Sequence, residues 1–410
     1  MKFLHSPESR LLLAGARTAA EPQSIQALLQ HPLHWPEILE RAERYEIAPL
    51  FYANLKKANA DTAQIPPAVL ERLKRLYYGQ AACNMQLYRK LQEVLVAFAE
   101  EKIPVIVLKG GALAEVVYPH IALRPMQDVD LLLRKQDLET ADRLMRALHY
   151  VPDESKHSHQ WYKDEHMHLP TYLARDHSVA FEIHYHIIRP PVSAHMPIHD
   201  LWCRARPARI AGQSVLLFAP EDLLLHLCLH LALGDHLLGK FRNLCDISAT
   251  IRHYHGELDW IQFLRAAQSY HIEPFVYYAL WLAHDVVAAQ VPAQVLHDLR
   301  SAIGGGALAD LALKRIARRA MLAYDPARSL IPSWAISHTC DELLSTKGGW
   351  AKLRAIGKRL WHGFVHSAQQ TSSQPRLLAP LYTLFVHPFY LMVRAARRRM
   401  HPKGEKCLPG

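Results

Sequence analysis

The sequence predicts an α+β fold in which a small mixed-sheet core is embedded between N-terminal and C-terminal helical regions. Three observations carry this prediction. Apolar residues recur at helical spacing through the first hundred residues and again from Pro220 onward. Between them lie short β-branched or alternating runs, IPVIVL, DVDLLL and VAFEIHYHI. The order strand, helix, strand, helix, strands describes a mixed α/β unit rather than a helical bundle.

Residues 1–101 form the N-terminal helical region. WPEILERAERYEIAPLFYANLKK and PPAVLERLKRLYYGQAACNMQLYRKLQEVLVAFAEEK keep the helical period. Prolines stand at the start of the second, where a first helical turn tolerates them. Residues 102–218 hold the core. IPVIVL is a buried strand ending at Lys109, and Gly110 and Gly111 turn the chain. ALAEVVY is a short helix stopped by Pro119. DVDLLLR is the second strand. Asp137 is placed to cap a helix whose apolar stripe is Leu138, Ala141, Leu144, Met145 and Leu148. HMHLPTYLA and VAFEIHYHI, joined by RDHS, read as a hairpin. Residues 219–375 return to helix, as in PEDLLLHLCLHLAL and FRNLCDISATIRHYH, and residues 376–410 form an apolar and basic tail.

A net charge of +10 favours polyanionic partners. Much of the excess lies in the last hundred residues, which show no RNA-binding pattern with stacking aromatics, so nucleic acid is not favoured. Cys83, Cys203, Cys228, Cys245, Cys340 and Cys407 are scattered with no CxxC. They read as reduced thiols of a cytoplasmic protein. No signal peptide and no clean run of about 20 apolar residues is expected.

The chemistry is carried by acids. Side chains alternate along a strand, so Asp128 and Asp130 share one face while Val129 and Leu131 enter the core. Two carboxylates this close repel when both are ionised, and a divalent cation relieves the repulsion. In VAFEIHYHI the same alternation puts Glu182, His184 and His186 on one face. If that strand lies beside DVDLLL, Glu182 supplies a third carboxylate to a two-metal site. Gly110 and Gly111 let backbone N–H groups approach phosphate oxygens, and Lys109 and Arg124 add positive charge suited to them.

The order of an apolar strand ending in GG, then D-x-D, then a later acidic strand resembles the DNA polymerase beta-type nucleotidyltransferase superfamily. LKGGALAEVVYP, LRPMQDVDLLLR and FEIHYHI, with the helical flanks PEDLLLHLCLHLAL and FRNLCDI, more narrowly resemble the uncharacterised bacterial nucleotidyltransferase family. The resemblance spans roughly residues 30–290. It implies an enzyme that moves a nucleotidyl group from a nucleoside triphosphate to an acceptor the family does not specify. It also implies that Gly110 and Gly111 hold phosphates, that Asp128 and Asp130 bind Mg²⁺, with Mn²⁺ as a substitute, and that Glu182 completes the metal set. One departure is a longer interval than usual, 16 residues between Gly111 and Asp128. The alternative is a non-catalytic nucleotide-binding module, or a membrane-associated scaffold, with the same fold.

Histidine is abundant, at 27 residues. The pairs His157/His159, His166/His168 and His184/His186 would each share a strand face, which suits zinc. Without a cysteine cluster the first two pairs read as polar residues around a phosphate cleft. His184 orients a carboxylate, touches phosphate, acts as a base or makes a structural hydrogen bond. His226 and His230 lie one helical turn apart, by default as packed helix residues. Arg242 and Asp246 are expected to form a local i, i+4 ion pair or a wall of the acceptor cleft, with His186 and His230. In the tail, Leu377 to Val393 carries no formal charge, and Arg394, Arg397, Arg398, Arg399 and Lys403 follow. It reads as a segment on the anionic inner face of the membrane or as a helix packed on the protein.

Overall fold

Proline opens seven of the described helices within their first turn, where its missing N–H leaves no hydrogen bond unmade. The computed structural model describes residues 6–58, 64–155, 157–189, 192–235, 237, 241–303 and single positions between 310 and 317. The apolar and basic tail lies outside the described residues. Among the described residues, no helix is long and apolar enough to cross a membrane.

The N-terminal region contains α1 (Pro7–Gly15), α2 (Pro22–Leu29), α3 (Trp35–Arg44), α4 (Ala48–Lys57) and the 34-residue α5 (Pro67–Glu100). Seven strands follow: β1 (Ile106–Val107), β2 (Asp128–Leu132), β3 (Val151–Pro152), β4 (Tyr172–Leu173), β5 (Ala180–His184), β6 (Arg206–Ile210) and β7 (Gln213–Leu217). Between them run α6 (Lys109–Val116), α7 (Leu138–Ala147), α8 (His159–Glu165) and α9 (Ile198–Arg204). The helices α10 (Pro220–Leu229), α11 (Phe241–His253), α12 (Trp260–Ser269), α13 (Glu273–Val287) and α14 (Ala293–Ile303) follow among the described residues. The α+β class expected from the sequence is the class observed.

The sheet order is β3-β4-β5-β2-β1-β7-β6. β2 runs parallel to β5 and antiparallel to β1, and β1 runs parallel to β7. The sheet is therefore mixed. One face is apolar. Val129, Leu131, Phe181 and Ile183 pack in a single cluster with Leu87, Leu91, Val94, Leu95 and Phe98 of α5. Each fully buried aliphatic or aromatic side chain of this kind contributes about 1.5–3 kcal/mol, so the cluster fixes the strand register. A slip by one residue would turn the acids into the core.

Several local expectations change. The glycine pair does not turn the chain: α6 starts at Lys109, and both glycines lie inside its first turn. The reversal falls on Lys109 itself, whose φ is +40°. Asp137 makes no capping hydrogen bond, because a 3-10 turn over Lys135–Asp137 precedes α7 and places Asp137 in helical geometry. β4 and β5 do form the expected hairpin, with Ala174 N–H donating to Val179 O. The hairpin of β6 and β7 was not foreseen. Its turn uses Ala211 and Gly212, both at positive φ, and AG is a weaker turn signal than NG or DG. The long interval before Asp128 is filled by α6 and a 3-10 turn over Ile121–Leu123.

Candidate functional site

The face of the sheet opposite the apolar cluster carries the acids. The parallel register sets Asp130 opposite Glu182 and Asp128 opposite Ala180. His184, at the end of β5, lies across from Leu132. Lys109 reaches the same place from the start of α6. Its Nζ donates to Asp130 Oδ1 at 2.9 Å. His184 Nε2 lies 2.9 Å from the same oxygen and 3.3 Å from Glu182 Oε2. Thr171 Oγ1 lies 3.4 Å from Glu182 Oε1.

The electrostatics follow from burial and pairing. Burial alone would raise the Asp130 carboxyl. The Lys109 charge and the hydrogen bond from His184 outweigh it and hold the group well below its ordinary value. Glu182 is also lowered, because the His184 hydrogen bond overcomes its burial. Burial would lower Lys109 and His184, but the carboxylates raise both. His184 Nδ1 faces the carbonyl of His186 at 3.4 Å, so both of its nitrogens point at acceptors. With a proton on each nitrogen the ring would set a positive charge against the acids. Asp128 differs: its residue is exposed. Crowding by protein atoms, then the charges of Asp130 and Glu182, push its pKa up to about 6. With His184 protonated, three carboxylates would face two cations, a formal excess of one negative charge.

Such a donor set fits a hard divalent cation. Among the described residues, ligand atoms of Asp130, Glu182 and His184 lie within 4.8 Å of one another. His184 is the weakest member as a ligand, because its Nε2 already donates to both acids. Asp128 lies outside that group, at the open end of β2, and offers oxygen, which Mg²⁺ and Mn²⁺ prefer. Asp128, Asp130 and Glu182 would hold the ion. Bound there, it would offset the acid charges and polarise phosphate oxygens.

The glycines and Arg124 have a structural explanation. A Cβ on Gly110 would sit 2.3 Å from Arg124 Nη1, and one on Gly111 would sit 3.0 Å from Val107 Cγ1. Arg124 is buried and fixed. Its Nη2 donates to Asp246 Oδ2 at 2.9 Å, its Nε to the same oxygen at 3.2 Å, and its Nη1 to Pro125 O at 3.1 Å. Asp246 also accepts from Tyr118 Oη at 2.9 Å. The predicted local pair of Arg242 with Asp246 does not form. Arg242 Nη1 instead reaches Glu46 Oε2 at 2.6 Å and Pro125 O at 2.9 Å. The partner choice is tertiary: α11 sets buried Asp246 and half-buried Arg242 against different neighbours.

The remaining candidates divide. His186 lies past the end of β5, so the alternation that would aim it with Glu182 is lost. Its Nε2 lies 3.0 Å from Met196 O, and its Nδ1 accepts from Ile188 N–H at 3.2 Å. His230 opens a π-helical turn, His230–Gly234, after α10, with Nε2 3.3 Å from Asp235 Oδ2. Burial, then the Lys109 charge, hold it well below its ordinary value. His226 is buried, and burial holds its pKa at about 3. His159 opens α8 and His157 precedes its N-cap Ser158, so neither lies on a strand. Burial also holds His166 at about 3 and His168 at about 4.

Sequence reasoning missed the residues that brace the site. From α5, Tyr88 Oη donates to Gly111 O at 2.9 Å, and Asn84 Nδ2 donates to Arg124 O at 2.9 Å. Asn84 is fully buried, and a polar residue on the apolar stripe of a long helix was its available signal. Glu46, Tyr118 and Thr171 gave none.

No curated protein and no solved structure matches the chain. A family model described as uncharacterised nucleotidyltransferase matches residues 31–288, more than half of the sequence. That span holds every acid, glycine and cation of the cluster around β2, β5 and α6. The chain belongs to this uncharacterised nucleotidyltransferase family.

Proposed function

We propose that the protein is a Mg²⁺-dependent enzyme that transfers a nucleotidyl group from a nucleoside triphosphate to an acceptor other than nucleic acid. The observation that carries this reading is the register of β2 and β5, which sets Asp130 beside Glu182 with Asp128 at the open strand end. Membership of a nucleotidyltransferase family supports it. The likeness to the polymerase beta-type superfamily belongs to the same proposal.

Each residue has a role. Asp128 and Asp130 hold the cation, and Glu182 joins them while accepting the proton-bearing Nε2 of His184. Lys109 and His184 keep Asp130 ionised, so no proton competes for its lone pairs. The first turn of α6 points backbone N–H groups toward the strand ends, where phosphate oxygens gain from the helix dipole. Arg124 shapes this turn by lying against Gly110. Catalysis here is positioning together with charge stabilisation, as phosphoryl and nucleotidyl chemistry requires.

The test is calorimetric binding of ATP, GTP, CTP and UTP with Mg²⁺, followed by pyrophosphate release with candidate acceptors. Wild type should bind one nucleotide in a metal-dependent way, and Asp128→Asn should lose that dependence. Equal binding with and without the Asp128 carboxylate would sink the proposal. A second reading is a nucleotide-binding module without turnover. It draws on the commitment of Lys109 and Arg124 to internal ion pairs. Binding with no pyrophosphate release across acceptors would favour it.

A further inference from the structure

The long helix α5 has two faces. One packs Leu87, Leu91, Val94, Leu95 and Phe98 into the core. The opposite face is open, yet it is not wholly polar. Among the described residues six large apolar side chains are exposed, and three of them stand on this helix: Tyr78 at 59%, Met85 at 64% and Val96 at 38%. Their spacings come close to two and three full helical turns, so all three point within about 20° of one direction. Lys74, Ala82, Arg89, Gln92 and Glu100 are exposed on the same stripe. Apolar residues scattered singly over a surface need no explanation, but three in line on one helix mark an interaction face.

We propose that this face binds a second copy of the chain, with the two α5 helices antiparallel about a two-fold axis level with Leu87. The stripe is self-complementary in that arrangement, as a two-fold contact requires. Residues equally far before and after Leu87 stand level across an antiparallel pair. Tyr78 of one copy then meets Val96 of the other, and Met85 meets the aliphatic stem of Arg89. Ala82 leaves room for Gln92, and Lys74 meets Glu100. To do so Lys74 gives up a 3.9 Å approach to exposed Glu71, a weak pair. Parallel helices would instead set Lys74, Arg89 and Glu100 each against its own copy, and like charges reject that pairing. From Lys74 to Glu100 the stripe runs for about 39 Å, on a helix about 10–12 Å wide with its side chains. A pair therefore buries roughly 900 Å² in total, the size class of weak and reversible complexes. The core of each copy does not depend on the contact, and the face is separate from the acids and their chemistry.

The test is sedimentation equilibrium of the full chain over a concentration series. Reductant is kept present, because exposed Cys83 on the same helix would otherwise form disulfides. Wild type should show a monomer–dimer equilibrium with a Kd of about 10–100 µM. Met85→Lys puts a cation beside Arg89 of the other copy, at a position too exposed to disturb the fold. It should weaken association by more than about 10-fold. Lys74→Glu and Glu100→Lys should each weaken it by about 3- to 10-fold at low salt, and the two together should restore wild-type affinity. Wild type that stays monomeric up to about 200 µM, or a dimer indifferent to Met85→Lys, overturns the proposal. A double swap that fails to recover the single losses refutes the antiparallel register. A monomer that floats with phosphatidylcholine vesicles, and ceases to in Met85→Lys, gives the face to a membrane and overturns the proposal equally.

Discussion

Gly110→Ala probes the contact that joins α6 to Arg124. The new methyl group would stand 2.3 Å from Arg124 Nη1, where 3.4 Å is the near edge of ordinary contact, so the guanidinium must retreat by about 1 Å. It has nowhere to go. Asp246 and the Pro125 carbonyl hold three of its edges at 2.9–3.2 Å. Overpacking costs about 1–3 kcal/mol. Stretching one charge-assisted hydrogen bond past its range costs about 1.5–3 kcal/mol more. Alanine returns roughly 1 kcal/mol of helix propensity. The net expectation is a loss of about 1.5–5 kcal/mol, a large part of the stability of an ordinary domain. Urea denaturation measures it. The double variant Gly110→Ala, Arg124→Met should be less destabilised than the two single losses added together, by about 1 kcal/mol or more, because the clash disappears with the guanidinium. Wild-type stability in Gly110→Ala, or strict additivity in the cycle, would refute the argument.

Other perturbations separate chemistry from scaffolding. Asp130→Asn should lose about 3–5 kcal/mol, since it leaves Lys109 and His184 buried without their shared counter-charge; chemical denaturation checks this, and inactivity of that variant alone proves nothing about catalysis. Asp128→Asn should fold as well as wild type at pH 7 or better by up to about 1 kcal/mol, allowing for solvent screening of an exposed group, while added Mg²⁺ should raise the melting temperature of wild type only. His226 has a folded-state pKa of about 3 against an ordinary 6.5. The unfolded chain therefore takes up a proton that the folded chain refuses. The stability tied to this group is full above pH 6.5 and falls as the pH drops through that window, by about 1.4 kcal/mol per pH unit. His226→Gln should flatten the stability–pH slope between pH 6 and 4 by that amount, and an unchanged slope would contradict the burial argument.

The strands that carry the acids were legible because alternation is a local property. Asp128, Asp130 and Glu182 share a face with their apolar neighbours on the other, and that pattern survives any choice of partner strand. What failed depended on where local geometry stops. His186 left the face because β5 ends at His184. Lys109, read as the end of a strand, instead bends into α6 at positive φ and spends its charge on Asp130. The spacing of Arg242 and Asp246 permits a helical pair, yet each finds a partner distant in sequence. The β6–β7 hairpin carries RPARI, a run too polar for a core strand, because it occupies the sheet edge.

The Arg124–Asp246 clasp bears on how the molecule is made. The two residues are 122 positions apart. At about 5–20 residues per second, a ribosome needs roughly 6–24 s to deliver the second after the first. By the middle of that interval the sheet strands β1, β2 and β5 have been made, but the guanidinium beside Gly110 still has no carboxylate. A nascent chain at this stage cannot bury Arg124 without stranding its charge. The Arg124 clasp therefore cannot close before α11 arrives, and translational pausing between these positions would lengthen the exposure of the unfinished turn at Gly110 to chaperones and proteases.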